Sequence, residues 1–233
     1  MIKQSIKNYI FCALDFKNIR TIERLLDKIA AQIGGIKIGL EFFLANGKTG
    51  VKRLQKFNLP IFLDLKLHDI PNTVKRSVES IIDLQPEYIS VHISGGEQML
   101  RMINKNNYSK IIGITLLTSL NKKDLLKQGI QSSPKNYVSR LVKIAYEVGL
   151  DGVVSSPSEI PAIRKKSSEK FIIISPGIRL KNDLKDDQKR IMSPGEAIYN
   201  GATKIVIGRS ITNAKDPLEA LKRIKNDIKE KNC

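Results

Sequence analysis

A chain of 233 residues with 41% hydrophobic and 27% charged residues has the make-up of a soluble globular protein with room for one barrel-sized core. Apolar runs such as "FIIIS" and "KIVIG" are far too short to cross a bilayer, and the opening "MIKQSIKNYIFCALDF" has only a brief apolar stretch, broken by Asp15. A cytoplasmic protein with neither membrane segment nor signal peptide is expected. The formal charge of +17 raises a nucleic-acid surface, but the lysines are interleaved with acids, as in "KRIKNDIKEK", and Trp is absent. No basic stretch carries the stacking residues that single strands need, so no nucleic-acid partner is expected and the charge reads as a solvated shell. It can also help draw in an anionic small substrate.

In chain order, the first strand is read at Ile10–Leu14 and delivers Asp15 to the loop beyond it. Cys12 lies in this strand and Cys233 ends the chain; neither spacing suggests a metal site or a disulfide, and reduced thiols are expected. After the helical pattern "TIERLLDKIAAQI" comes the strand Ile36–Gly39, with Lys37 inside it. The third strand, Ile61–Leu67, is interrupted by Asp64 and Lys66, and Asp69 follows it. Tyr88–Ile93 and Ile111–Leu117 are the fourth and fifth, the latter running into Thr118 and Ser119. Gly152–Ser155, Phe171–Ser175 and Ile205–Gly208 complete the set, with the helical "YVSRLVKIAYEVG" before the sixth.

Three helix starts share one chemistry: Ser156-Pro157-Ser158-Glu159, Ser193-Pro194-Gly195-Glu196 and Asp216-Pro217-Leu218-Glu219. Each offers a capping side chain, a proline at the first helical position and a glutamate at the third. Eight strand–helix units without a long linker predict an α/β fold, a (β/α)8 TIM barrel forming a single domain over 1–233. The alternative, a doubly wound open sheet, usually carries a glycine-rich turn after its first strand, and "ALDFKN" is not one. The connection from Pro176 to Ser193 is much longer than an ordinary strand–helix loop and reads as a lid.

Residues two apart on a strand share a face, about 6.5–7 Å apart. Phe62, Asp64 and Lys66 therefore point one way and Leu63, Leu65 and Leu67 the other. In a barrel the leucines pack under helices, and the two charges point inward near the C-terminal end, where barrel enzymes do their chemistry. A buried ion pair that merely fixes register explains this poorly, because desolvation commonly offsets the attraction. Asp15 and Lys37 repeat the placement on other strands. The last strand ends in Gly208-Arg209-Ser210, where glycine lets backbone amides approach an anion and arginine supplies a bidentate fork. Arg179 and Gln188 on the long loop would add to that anion site. Thr118 and Ser119 could hydrogen-bond a polar ring or serve as caps. His68 and His92, the only histidines, form no triad-like motif and read as structural.

Taken in order, "ALD" at Asp15, "KIG" at Lys37, "FLDLKLHDIPNT" around Lys66, "VHISGG" at His92, "LLTS" at Thr118, "SPGIR" at Arg179, "DQKRIMSP" at Gln188 and "VIGRSIT" at Arg209 resemble the orotidine 5′-phosphate decarboxylases of compact bacterial type. The resemblance covers nearly the whole chain. It implies decarboxylation of orotidine 5′-monophosphate to uridine 5′-monophosphate, no metal or organic cofactor, and a homodimer with shared active sites. It implies Lys66 as proton donor and Asp64 beside the substrate carboxylate, with Asp69 and Thr73 supplied by the partner subunit. Lys37 belongs to the same catalytic set and, with Asp15, would hold the ribose hydroxyls. Thr118 and Ser119 would face the base, and Arg179, Gln188, Gly208 and Arg209 would take the phosphate and close the lid. The Asp-x-Lys-x-x-Asp core is shared with magnesium-dependent sugar-phosphate decarboxylases and synthases, which stand as the rival. A non-enzymatic basic binding module is the rival from another class.

Overall fold

Short runs rich in Ile, Val and Leu suit a parallel sheet covered on both faces, and here eight of them pair in sequence order and close on themselves. The computed structural model describes residues 4–103, 108–180 and 192–232. Its strands are β1 (Ile10–Ala13), β2 (Gly35–Gly39), β3 (Ile61–Leu67), β4 (Tyr88–His92), β5 (Lys110–Ile114), β6 (Gly152–Val154), β7 (Ile172–Ser175) and β8 (Lys204–Ile207). Each pairs in parallel with the next, and β8 returns to β1 through Ile10–Ile205 and Phe11–Val206. The expected TIM barrel is therefore observed, with each strand within a few residues of its reading.

The helices are α1 (Ile19–Ile29), α2 (Leu40–Leu54), α3 (Pro71–Ile81), α4 (Glu97–Arg101), α5 (Lys122–Lys127), α6 (Pro134–Glu147), α7 (Ile160–Lys166), α8 (Pro194–Tyr199), α9 (Arg209–Thr212) and α10 (Pro217–Asn232). The three expected caps have their chemistry in place. Ser193 Oγ accepts from the Glu196 amide while the Glu196 carboxylate accepts from the Ser193 amide. Asp216 Oδ1 accepts from the amides of Leu218 and Glu219. The Glu159 carboxylate accepts from the Ser156 amide and from Ser155 Oγ, ahead of α7. Among the described residues no helix is long and apolar enough to cross a membrane.

Two apolar layers hold the barrel. The outer one lies between strands and helices and includes Ile38, Leu63 and Leu65 with Ile22, Leu26 and Val74. The inner one fills the barrel with Phe11, Phe62, Tyr88, Ile112, Ile172, Ile174 and Val206. Phe62 meets Tyr88 edge-on at 6.0 Å, and Phe11 lies 5.7 Å from the same ring. Burying each such ring contributes about 1.5–3 kcal/mol. Gly35 makes room for this plug, because a Cβ there would stand 2.4 Å from the Phe11 ring. The lower half of the barrel is thus solid, which leaves the C-terminal mouth as the open end. Cys12 is buried, in the outer layer, and burial first, then Asp15, push its thiol up to about 12, against the pull of Lys37. Cys233 lies outside the described residues.

On the outside, α1 and α2 are tied by a carboxylate with three cationic contacts. Glu23 accepts from Arg53 Nε (2.8 Å) and Nη2 (2.6 Å) and from Lys56 Nζ (2.7 Å). The hydrogen bonds from Arg53 and then Lys56 hold its carboxyl down at about 2.

Candidate active site

Alternation along β3 sends Asp64 and Lys66 toward the barrel axis, but the strand does not run regularly to its end. Leu63 pairs with Ile89 and Leu67 with Val91, so Asp64, Leu65 and Lys66 together oppose the single residue Ser90. Lys66 takes a left-handed φ of 51° within this bulge, a conformation uncommon for a side-chain-bearing residue. Asp64 and Lys66 then line one cavity of about 280 Å³ at the barrel mouth, together with Asp15 and Lys37.

These four groups form an alternating row. Lys37 Nζ donates to Asp15 Oδ1 at 2.8 Å and lies 3.8 Å from Asp64 Oδ2. Lys66 Nζ donates to the same Asp64 Oδ2 at 2.7 Å. The Lys37 and Asp64 side chains are nearly buried, whereas Lys66 is partly open to the cavity and Asp15 sits at its rim. Formally the row is neutral, which permits four charges in one mouth where two alone would be costly. The Asp15 and Asp64 carboxylates are bridged by the Lys37 ammonium. Among the described residues no group of three or more His, Cys, Asp or Glu side chains has an arrangement suited to holding a metal ion.

The opposite wall is built by the later strands. Gly177, at φ 76°, turns the chain after β7 as only glycine does readily, and brings Ile178 and Arg179 to the cavity. The Arg179 amide donates to the Met192 carbonyl, which closes the neck of the long connection. Gly208 and Arg209 follow β8 directly and complete that rim with Ser210. Gln188 and most of the long connection lie outside the described residues.

Two sequence expectations, that Thr118 and Ser119 end a strand and that both face the site, are placed differently. Thr118 and Ser119 do not end a strand: β5 stops at Ile114, and both lie in the turn beyond it. The apolar run continues to Leu117 because Leu116 and Leu117 are cavity wall, not ladder. Thr118 also lines the cavity, whereas Ser119 is exposed and does not contribute to its wall. Asp69 and Thr73, which the resemblance assigns to the neighbouring subunit's site, are exposed and lie outside the wall of their own chain's cavity; Asp69 Oδ1 accepts from the Ile70 amide at 2.7 Å.

Sequence reasoning missed Ser90. Its hydroxyl donates to Asp64 Oδ1 at 3.0 Å and accepts from the Lys66 amide at 2.8 Å. A lone serine in "YISVH" carries no signal until the bulge opposite is known. The His68 and His92 rings lie 5.1 Å apart, tilted by 31°, beside this cluster. Burial, then His68 and Lys66, lower the His92 pKa against Asp64, which favours its neutral imidazole.

A larger groove of about 460 Å³ lies between α6 and α7, over Val138, Val142 and Ile163 with a rim of Lys and Arg. It is outside the barrel mouth and holds no converging row of charges. The smaller cavity, at the C-terminal ends of the strands with acids and bases in register, defines a (β/α)8-barrel enzyme with a polar mouth.

Comparison with known proteins narrows that class. The model of the Orotidine 5'-phosphate decarboxylase / HUMPS family matches residues 8–224. A protein of Erythrobacter litoralis named orotidine 5'-phosphate decarboxylase is 42% identical over 221 residues, 94% of this chain and 98% of that one. One of the same name from Wolbachia pipientis subsp. Culex pipiens is 44% identical over 220 residues, covering 93% and 97%. The crystal structure of orotidine 5'-phosphate decarboxylase from Lactobacillus acidophilus superposes with a TM-score of 0.81 at 31% identity, over 94% of this chain and 98% of that one. The chain belongs to the orotidine 5'-phosphate decarboxylase / HUMPS family and is an enzyme.

Proposed function

We propose that this enzyme converts orotidine 5′-monophosphate to uridine 5′-monophosphate and CO2 in the cytoplasm, as the last step of de novo pyrimidine synthesis, using no metal or organic cofactor. The observation that carries the reading is the row Asp15, Lys37, Asp64, Lys66 at the barrel mouth. Relatives at 42% and 44% identity bearing the decarboxylase name support it over the magnesium-dependent sugar-phosphate alternative. So does Lys37, whose ammonium occupies the space between Asp15 and Asp64 that a divalent cation would share.

The C6–carboxylate bond breaks with its electron pair left on C6, in an orbital that does not spread into the ring carbonyls. Fixed charge must stabilise that carbanion. The Lys66 ammonium attracts it, then delivers a proton to C6 as CO2 departs, and solvent restores the lysine. At about 4 Å and an effective dielectric near 20, one such charge contributes about 4 kcal/mol. Enzymes typically lower barriers by about 8–23 kcal/mol, so Lys66 does not suffice alone. Asp64 faces the substrate carboxylate and raises the ground state. Arg179, Gln188, Gly208 and Arg209 bind the phosphate, and binding energy remote from the ring is expressed at the transition state. Asp15 and Lys37 hold the ribose hydroxyls, and Thr118 and Ser119 face the base.

The working unit is a homodimer in which Asp69 and Thr73 complete the neighbouring subunit's site. Both are exposed, and between them Ile70 leaves 66% of its surface open; on α2, Leu44 is 81% exposed and Leu40 49%. Apolar side chains so placed beside the mouth are suited to an isologous contact.

The test is ultraviolet absorbance of orotidine 5′-monophosphate with purified protein, with and without a chelator. Chelator-resistant loss of the substrate band, with uridine 5′-monophosphate as product, is expected. No turnover would overturn the reading in favour of sugar phosphates with magnesium, and turnover abolished by the chelator would overturn its metal-free chemistry.

A further inference from the structure

We propose that Ser90 is a positioning residue that sets both the Asp64 carboxylate and the Lys66 ammonium for the reaction. The role presupposes the decarboxylase reading of the same cavity. Where β3 bulges, Lys66 has no regular ladder partner on β4, since Asp64, Leu65 and Lys66 together oppose Ser90 alone. Ser90 Oγ takes the place of a strand carbonyl and accepts the Lys66 amide at 2.8 Å. Its own proton goes to Asp64 Oδ1 at 3.0 Å. The other Asp64 oxygen, Oδ2, accepts from Lys66 Nζ at 2.7 Å.

A closed loop results, from the Ser90 hydroxyl to Asp64, from Asp64 to the Lys66 side chain, and from the Lys66 backbone back to the hydroxyl. Both oxygens of the acid and both ends of the lysine are fixed by it. The Lys66 φ of 51° is the conformation that the loop retains. Only a hydroxyl can accept from an amide and donate to a carboxylate at once from so short a side chain. Ser90 itself is 0% exposed and absent from the cavity wall, so it acts through its two partners and not on substrate.

The experiment compares wild type with Ser90→Ala, Ser90→Cys and Ser90→Thr for kcat, KM and affinity for uridine 5′-monophosphate. Loss of hydrogen bonds to charged groups predicts that Ser90→Ala and Ser90→Cys lower kcat about 10- to 100-fold. KM and product affinity should stay unchanged, and Ser90→Thr, which keeps the hydroxyl, should retain most of kcat. Wild-type kcat in Ser90→Ala overturns the role. So does a parallel loss of kcat, product affinity and thermal stability that Ser90→Thr does not restore, because that is the pattern of a packing residue. If Ser90→Ala does not fold, the Cys and Thr variants decide, and equal activity in the two overturns the role. A wild-type protein without turnover overturns the decarboxylase reading and the positioning role with it, whereas an active wild type with an active Ser90→Ala overturns the role alone.

Discussion

Lys66 Nζ lies 2.7 Å from Asp64 Oδ2 although the two residues share one strand and are separated only by Leu65. Regular β geometry would keep their Cα atoms about 6.5–7 Å apart; a long side chain and a left-handed backbone at Lys66 bring the charges together. The ammonium is thereby held against the Asp64 carboxylate. On the proposed mechanism, truncating it removes both the electrostatic partner of the carbanion and the proton source. Lys66→Ala should lower kcat by about 10⁴-fold or more, with circular dichroism and uridine 5′-monophosphate binding retained. Near-normal turnover in the purified variant would sink the proposed chemistry.

Arg209 belongs to the other wall, directly after β8, and its predicted partner is the phosphate rather than the reacting carbon. A lost charge-assisted hydrogen bond predicts a rise in KM of about 10- to 100-fold for Arg209→Ala, with a smaller change in kcat. Steady-state kinetics separates the two. A fall in kcat at unchanged KM would reassign the residue to the chemical step.

The barrel was legible because parallel strands buried on both faces read as unbroken Ile and Val runs, and eight of them alternate with amphipathic stretches. Asp15, Lys37, Asp64 and Lys66 were legible for the converse reason, since a charge inside such a run has no structural excuse. The limits were local. Apolar residues also line the cavity, so Leu116 and Leu117 extended the reading of β5 past its last ladder residue, Ile114. Period-two alternation predicts the faces of Asp64 and Lys66 but not the bulge, and without the bulge Ser90 is one more small residue in an apolar strand. Asp69 and Thr73 came only through resemblance to a family, because an exposed acid and an exposed threonine after a strand carry no signal of their own.

Glu23 offers a prediction about stability and not catalysis. Its carboxyl is held at about 2, below the ordinary 4.5, chiefly by hydrogen bonds from Arg53 and Lys56. A depressed folded-state pKa contributes stability that is present above the unfolded value and lost as pH falls through the folded one. The melting temperature of wild type should therefore exceed that of Glu23→Gln at neutral pH. The gap should narrow below about pH 4.5 and close near pH 2. Equal melting temperatures at neutral pH would mean that the three contacts are offset by the ordering of exposed side chains, and a gap that does not change with pH would mean that it does not come from the Glu23 charge.

The proposed shared-site dimer makes a prediction that no single-chain account can reproduce. If Asp69 acts in the neighbouring subunit's cavity, Lys66→Ala and Asp69→Ala damage sites in different ways. A hybrid dimer of the two has one cavity carrying both defects and one carrying neither. The intact cavity takes Lys66 from the Asp69→Ala chain and Asp69 from the Lys66→Ala chain. Random re-pairing of equal amounts makes half the dimers hybrid, each with one working site of two, so about one quarter of wild-type activity should return. Each variant is assayed alone, then after mixing, dissociation and reassociation, with sedimentation to verify the dimer. Activity that stays at the level of the separate variants, in a sample shown to have exchanged subunits, would place Asp69 in its own chain's site or outside the reaction altogether.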